Sequence, residues 1–268
     1  MSIMISSLIK GMDQLETVAE TVNDLHDPDV GTELIAFTHD QEYWDRLKNL
    51  VKKLTCPITF HGPYMKTEGT SEPGTEAYEF LMESYQRTIA LAQDCGAMHV
   101  VYHTTQINYA PQELDCISGK RELANRNADA IIEMGKKNGV EVLIENLPCP
   151  HGRVPLYSNE EYFEFFERNP VSHSLIDIGH AHMNGLDLEG FLKKFGSRVR
   201  GYHFHNNDGV SDLHNDIMDG TFDYEAFAPL YRQYSPTANI VLEYEPHVQI
   251  TMERLLEQVD FVKNRYGA

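Results

Sequence analysis

Gly139-Val140-Glu141-Val142-Leu143-Ile144-Glu145-Asn146 is the stretch from which the rest of the chain can be read. Gly139 follows a helical pattern, at the place where a left-handed C-cap is wanted. A short run rich in Val, Leu and Ile comes next, and a carboxylate closes it. Side chains alternate faces along a strand, so Leu143 and Glu145 share one face. The stretch therefore predicts a buried strand over Val140 to Glu145 whose tip carries chemistry.

The same pattern recurs outward in both directions. Strands are predicted at Ile3 to Ile9, Thr32 to Phe37, Ile58 to His61, His99 to His103, Val140 to Glu145, His173 to Asp177, Arg200 to His205 and Ile240 to Glu243. Amphipathic helical patterns separate them, such as Leu15, Val18, Ala19 and Val22, or Leu47, Leu50, Val51 and Leu54. Gly96 and Gly139 are placed as helix C-caps, and Ser158 with Glu161 as a capping box. Eight βα units in succession, with no linker and no GxGxxG after the first strand, predict α/β architecture: a single (β/α)8 TIM barrel over residues 1–268.

In such a barrel the active site lies at the C-terminal strand ends. Six successive strands present His, Asp or Glu there: His61, His103, Glu145, Asp177 with His180, His205, and Glu243. These are ligand types for divalent metals. Any one strand-end His could be a solvated or hydrogen-bonded side chain, but six adjacent coincidences make a ring. The segment after the seventh strand adds Asp212-Leu213-His214. Tyr64, Asn146 and His182 are placed as substrate contacts. His203 shares the face of His205 one layer deeper and is given a supporting or core role. His39 and His247 also lie near strand ends, His26 reads as surface, and His99 and His173, which begin their strands, read as structural.

Composition bounds the partners. The formal charge of −19 weighs against nucleic acid and anionic membranes, since such binding depends on clustered Lys and Arg. No apolar run is long enough to span a membrane, and Met1 to Gly11 lacks the features of a signal peptide, so a cytoplasmic protein is expected. Cys56, Cys95, Cys116 and Cys149 form no CxxC pair and read as reduced thiols. Lys66, Arg121 and Arg153 fall in βα loops, where they read as surface charge or as contacts for a phosphate. A homo-oligomer is compatible with the sequence.

At Leu143-Ile144-Glu145-Asn146, at Asp177-Ile178-Gly179-His180, and from His203-Phe204-His205-Asn206-Asn207-Asp208-Gly209 through Asp212 and His214 to Gly220, the chain resembles the xylose-isomerase-like TIM barrel superfamily. That superfamily joins sugar isomerases and epimerases with endonuclease IV, the apurinic-site repair enzyme. The resemblance covers essentially the whole chain. It implies a single ion held by Glu145, Asp177, His205 and Glu243, as in the sugar epimerases, or three zinc ions held by those four with His61, His103, His180, Asp212 and His214. The cofactor is accordingly one to three divalent ions, Mn, Co or Zn. Two departures narrow the resemblance: the loop from His205 to Asp212 is shorter than the duplex-gripping loop of the repair enzyme, and Ser211 stands where ketose 3-epimerases commonly place a sugar-holding Arg.

The leading expectation is a sugar or sugar-derivative isomerase or epimerase. Glu145 and Glu243 would bracket the substrate, one removing a proton beside the carbonyl and the other returning it, with a metal stabilising the enediolate. Alternatives are an endonuclease IV-like zinc phosphodiesterase at abasic DNA, a lyase acting on an oxidised sugar, and a non-catalytic sugar-binding module.

Overall fold

The computed structural model describes residues 1–267, so Ala268, the end of the expected domain, lies outside the described residues. Eight parallel strands close into a barrel in chain order: β1 Ile3–Ser6, β2 Val30–Ile35, β3 Ile58–His61, β4 His99–Tyr102, β5 Glu141–Glu145, β6 His173–Asp177, β7 Val199–Phe204 and β8 Asn239–Leu242. Pairing of β1 with β8 completes the ring, with Ile3 opposite Ile240. The α/β barrel is the expected fold.

Helices α1 Leu15–Asn23, α2 Gln41–Val51, α3 Glu76–Cys95, α4 Leu114–Lys137, α5 Asn159–Arg168, α6 Ile178–Asn184, α7 Leu188–Phe195, α8 Tyr224–Tyr234 and α9 Met252–Tyr266 surround the strands. Most begin at a side chain that accepts an otherwise unpaired backbone N–H. Asp40, Thr75, Ser158, Asp177, Asp187, Asp223 and Thr251 all do this. Ser158 and Glu161 form the predicted capping box, and Gly96 ends α3 in the left-handed conformation. The predicted faces are the buried ones: Leu15, Val18, Ala19 and Val22 on α1, and Leu47, Leu50 and Val51 on α2, with Leu54 past its end.

Strand bounds differ from expectation in instructive places. The first strand stops at Ser6 rather than Ile9, because the Ser6 hydroxyl takes the Leu8 N–H and Ser7–Lys10 turns as a 3-10 helix. The second runs two residues earlier than predicted. His103, His205 and Glu243 fall one residue beyond their strands.

The largest apolar cluster fills the space between strands and helices, whereas Val101, Leu143 and Leu175 make a small separate cluster inside the barrel. That inner apolar layer occupies only one side. On the other, Glu33, Thr59, His99 and His203 are buried together. Among the described residues no helix is long and apolar enough to cross a membrane.

Candidate metal centre

His61, Glu145 and Asp177 are the last residues of β3, β5 and β6, and His103, His205 and Glu243 follow β4, β7 and β8 directly. The barrel mouth draws them together. His103 Nε2 lies 2.7 Å from Glu145 Oε2, and His61 Nε2 is 3.9 Å from the same oxygen. His205 Nε2 lies 3.0 Å from Asp177 Oδ1. His180 stands 3.5 Å from both Glu145 and Asp177 on its Nδ1 side and 3.3 Å from Asp212 on its Nε2 side. His214 Nε2 is 3.3 Å from Asp212, and its Nδ1 is 3.7 Å from Glu243 Oε2. All nine predicted ligands thus belong to one connected group. Within it, ligand-type atoms of His180, His205, Asp212 and His214, and of Asp177, His205 and Glu243, are close enough to share an ion.

Local sequence explains the placement. Asp177 caps α6, its Oδ1 accepting the His180 N–H at 2.7 Å, so strand end and helix start fix two of the predicted ligands at once. Gly179 is required between them, because a Cβ there would fall 2.0 Å from Cε1 of His205. Asn146 exchanges two hydrogen bonds with the Asp177 backbone, 2.8 and 2.9 Å, and ties the ends of β5 and β6. After β7 the chain doubles back, with Asn206 and Asn215 trading backbone hydrogen bonds at 2.9 Å. This turn returns Asp212 and His214 to His205, whose ring stacks on His214 at 3.7 Å between centroids.

The three carboxylates Glu145, Asp177 and Glu243 are at most 3% exposed. Burial pushes the Glu145 carboxyl up, but the His103 and His203 rings outweigh it and hold the group well below its ordinary value. Glu243 is likewise raised by burial and pulled down further by His203, His214 and His61. Burial opposes charge on His180, yet Asp177, Asp212 and Glu145 raise it to about 10; His214, with Asp212 and Glu243 beside it, rises to about 9. Protonated His180 and His214 thus face these buried carboxylates. Among the described residues, Nδ1 of His205 is buried with no hydrogen-bond partner. An oxygen and nitrogen donor set of this kind, lacking thiolate, fits Mn, Co or Zn.

A cavity of about 290 Å3 opens over the centre. Glu145, Glu243, His61, His103, His180, Asp212 and His214 line its floor, with Tyr64 and Asn146 beside them. The amide atoms of Asn146 are taken up by Asp177, so its side chain shapes the cavity wall. His182 is not among the lining residues, and its Nε2 contacts Thr221 Oγ1 at 2.7 Å. Among the described residues the lining includes neither Lys nor Arg. Arg121 is held by Glu161 and the Leu156 carbonyl, and Arg153 by the Asn108 carbonyl. Cys149 lies outside the cavity, its thiol pushed up by burial.

Sequence reasoning missed two contributions. Thr104 to Asn108 and Pro155 to Tyr157 supply the cavity's outer wall, from loops with no periodic signal. Glu33 is buried beneath the centre, although its place in Thr32-Glu33-Leu34 had only the alternation of a strand to mark it.

Residues 17–265 match the family described as xylose isomerase-like TIM barrel. No curated protein matches the chain in sequence. Among solved structures, a D-tagatose 3-epimerase-like protein superposes with a TM-score of 0.78 at 18% identity, covering 99% of this chain and 97% of that one. The IolI protein with a bound zinc atom gives 0.75 at 14% identity, with both chains covered in full. The D-psicose 3-epimerase from Clostridium cellulolyticum with D-tagatose gives 0.74 at 10%, again over the whole of both chains.

Proposed function

The chain belongs to the xylose isomerase-like TIM barrel family, and from that premise we propose that it is a divalent-metal-dependent isomerase or epimerase of an uncharged sugar or sugar derivative. One observation carries the reading: Glu145 and Glu243, from different strands, both face the same cavity and are both held in the ionised form despite burial. Each is then able to accept a proton from carbon beside a carbonyl, and the partner to return one. The structural neighbours named as a D-psicose 3-epimerase and as a D-tagatose 3-epimerase-like protein support the same class.

Glu145, Asp177, His205 and Glu243 would hold the principal ion, with His61, His103, His180, Asp212 and His214 available to further ions. A divalent ion there supplies Lewis-acid stabilisation of negative charge on neighbouring substrate oxygens. Tyr64, Gln106 and Asn108 offer hydrogen bonds to hydroxyls from the wall. The absence of Lys and Arg from the lining, together with the carboxylates Glu145, Asp212, Glu243 and Glu245 in it, disfavours a sugar phosphate.

The test is conversion of a panel of free ketoses by the purified protein with manganese or cobalt. Glu243→Gln is expected to reduce the rate by about 100-fold or more, and wild-type turnover in that variant would overturn the assignment. The nine-residue set also motivates metal-assisted phosphodiester hydrolysis, which the acidic lining opposes; cleavage of an abasic duplex by zinc-loaded protein at low salt would favour it.

A further inference from the structure

Glu33 plays no part in the chemistry above, yet it is a fully buried carboxylate inside the barrel. It sits on β2 opposite Thr59 in register, and its Oε2 accepts the Thr59 hydroxyl at 3.1 Å. Its Oε1 lies 3.0 Å from Nε2 of His203, and His99 Nε2 is 3.9 Å from Oε2. His203 is itself fully buried. Its opposite nitrogen, Nδ1, lies 3.1 Å from Glu243 Oε2, 3.5 Å from Glu145 Oε1 and 3.7 Å from Asp177 Oδ2. One imidazole is therefore held between a carboxylate below and three ligand carboxylates above.

A purely space-filling role does not call for this arrangement. Across the barrel the same depth is filled by Val101, Leu143 and Leu175, and a buried carboxylate is costly unless something offsets it. Glu33 Oε1 and both nitrogens of His203 make no aligned hydrogen bond among the described residues, so the 3.0 Å approach between them is a close electrostatic contact, made by a carboxylate that the Thr59 hydroxyl holds in place. Resting on the metal-dependent reading above, we propose that Glu33 is a positioning residue: it fixes the His203 ring so that Nδ1 sets the orientation of Glu243 and Glu145 toward the metal. Groups that orient ligands from outside the coordination shell govern affinity by limiting the ligands' freedom.

The experiment measures dissociation constants for manganese and cobalt by titration calorimetry, with the visible spectrum of bound cobalt, for wild type, Glu33→Gln and Thr59→Val. Gln preserves shape and can still meet Thr59, whereas Thr59→Val removes only the hydrogen bond that holds Glu33. Glu33→Gln is expected to weaken binding by about 10- to 100-fold and to alter the cobalt spectrum, and Thr59→Val to shift both in the same direction by less. Wild-type affinity and spectrum in a folded Glu33→Gln overturn the proposal. Should Glu33→Gln not fold, Thr59→Val decides: weakened binding supports the role, and a lowered melting temperature with unchanged binding overturns it. A wild-type protein that binds neither ion overturns the metal reading and this proposal with it, whereas unchanged binding in the variants overturns this proposal alone.

Discussion

His180 and His214 face so many carboxylates that both imidazoles stay protonated at neutral pH in the metal-free protein, at about 10 and about 9 against 6.5 for the free group. A pKa raised on folding contributes stability that is complete below pH 6.5 and is lost as pH rises through the folded values. The melting temperature of metal-free protein should therefore fall between pH 6.5 and 10, as a thermal scan across that range would show. Coordination needs neutral imidazole, so ion uptake at pH 7 should release protons, measurable by calorimetry in two buffers of different ionisation heat. Gly179→Ala makes a steric counterpart: with His205 occupying the Cβ position, the ring must move, at a cost of about 1–3 kcal/mol in stability and with weaker metal binding than wild type. The grouping of the six strand-end candidates was legible because each is a polar residue closing an apolar run. The hydrogen bonds of Asn146 and His182 were not, since sequence shows that an amide or imidazole is near a strand end but not which backbone or hydroxyl group it meets.

Helix starts follow local rules, and the predicted capping box at Ser158 and Glu161 is present because its hydrogen bonds join residues three apart. Ser158→Ala should lower stability by about 1 kcal/mol without changing metal affinity, a separation that thermal melts and ion titration would reveal. Strand ends obey neighbours instead. Leu8 and Ile9 resume the apolar pattern after Ser6-Ser7, which invites a longer strand; the Ser6 hydroxyl and the turn of Ser7–Lys10 end it at Ser6. His103, His205 and Glu243 leave their strands one residue early for a related reason, since where a ladder ends depends on the stagger of the adjoining strand. Glu243 still donates its N–H to the Phe204 carbonyl. The loop that returns Asp212 and His214 was visible as a cluster beside the ring, while the Asn206 and Asn215 pairing that builds it was not.

For the molecule as a whole, the alternation of eight strand and helix patterns was enough to give the barrel, and the charge of −19 agrees with a cavity lining that, among the described residues, includes neither Lys nor Arg. What sequence could not convey is that the barrel interior is divided, apolar on the side of Val101, Leu143 and Leu175 and polar around Glu33 and His203. Which face of β2 turns inward is settled only when the sheet closes. Closure itself joins β1 to β8, where Ser2 accepts the Ile240 N–H and donates its own to the Asn239 side chain. The strands whose ends carry the candidate ligands run from β3 to β8, so no early fragment of the fold brings all of them together. A bound ion should therefore act after the rate-limiting step of folding: it should slow unfolding strongly while leaving the refolding rate nearly unchanged. Stopped-flow kinetics in denaturant, with and without chelator, would show one limb of the chevron move and the other stay. The ring of ligands would then behave as a kinetic latch, determining how long the closed barrel lasts rather than how fast it forms.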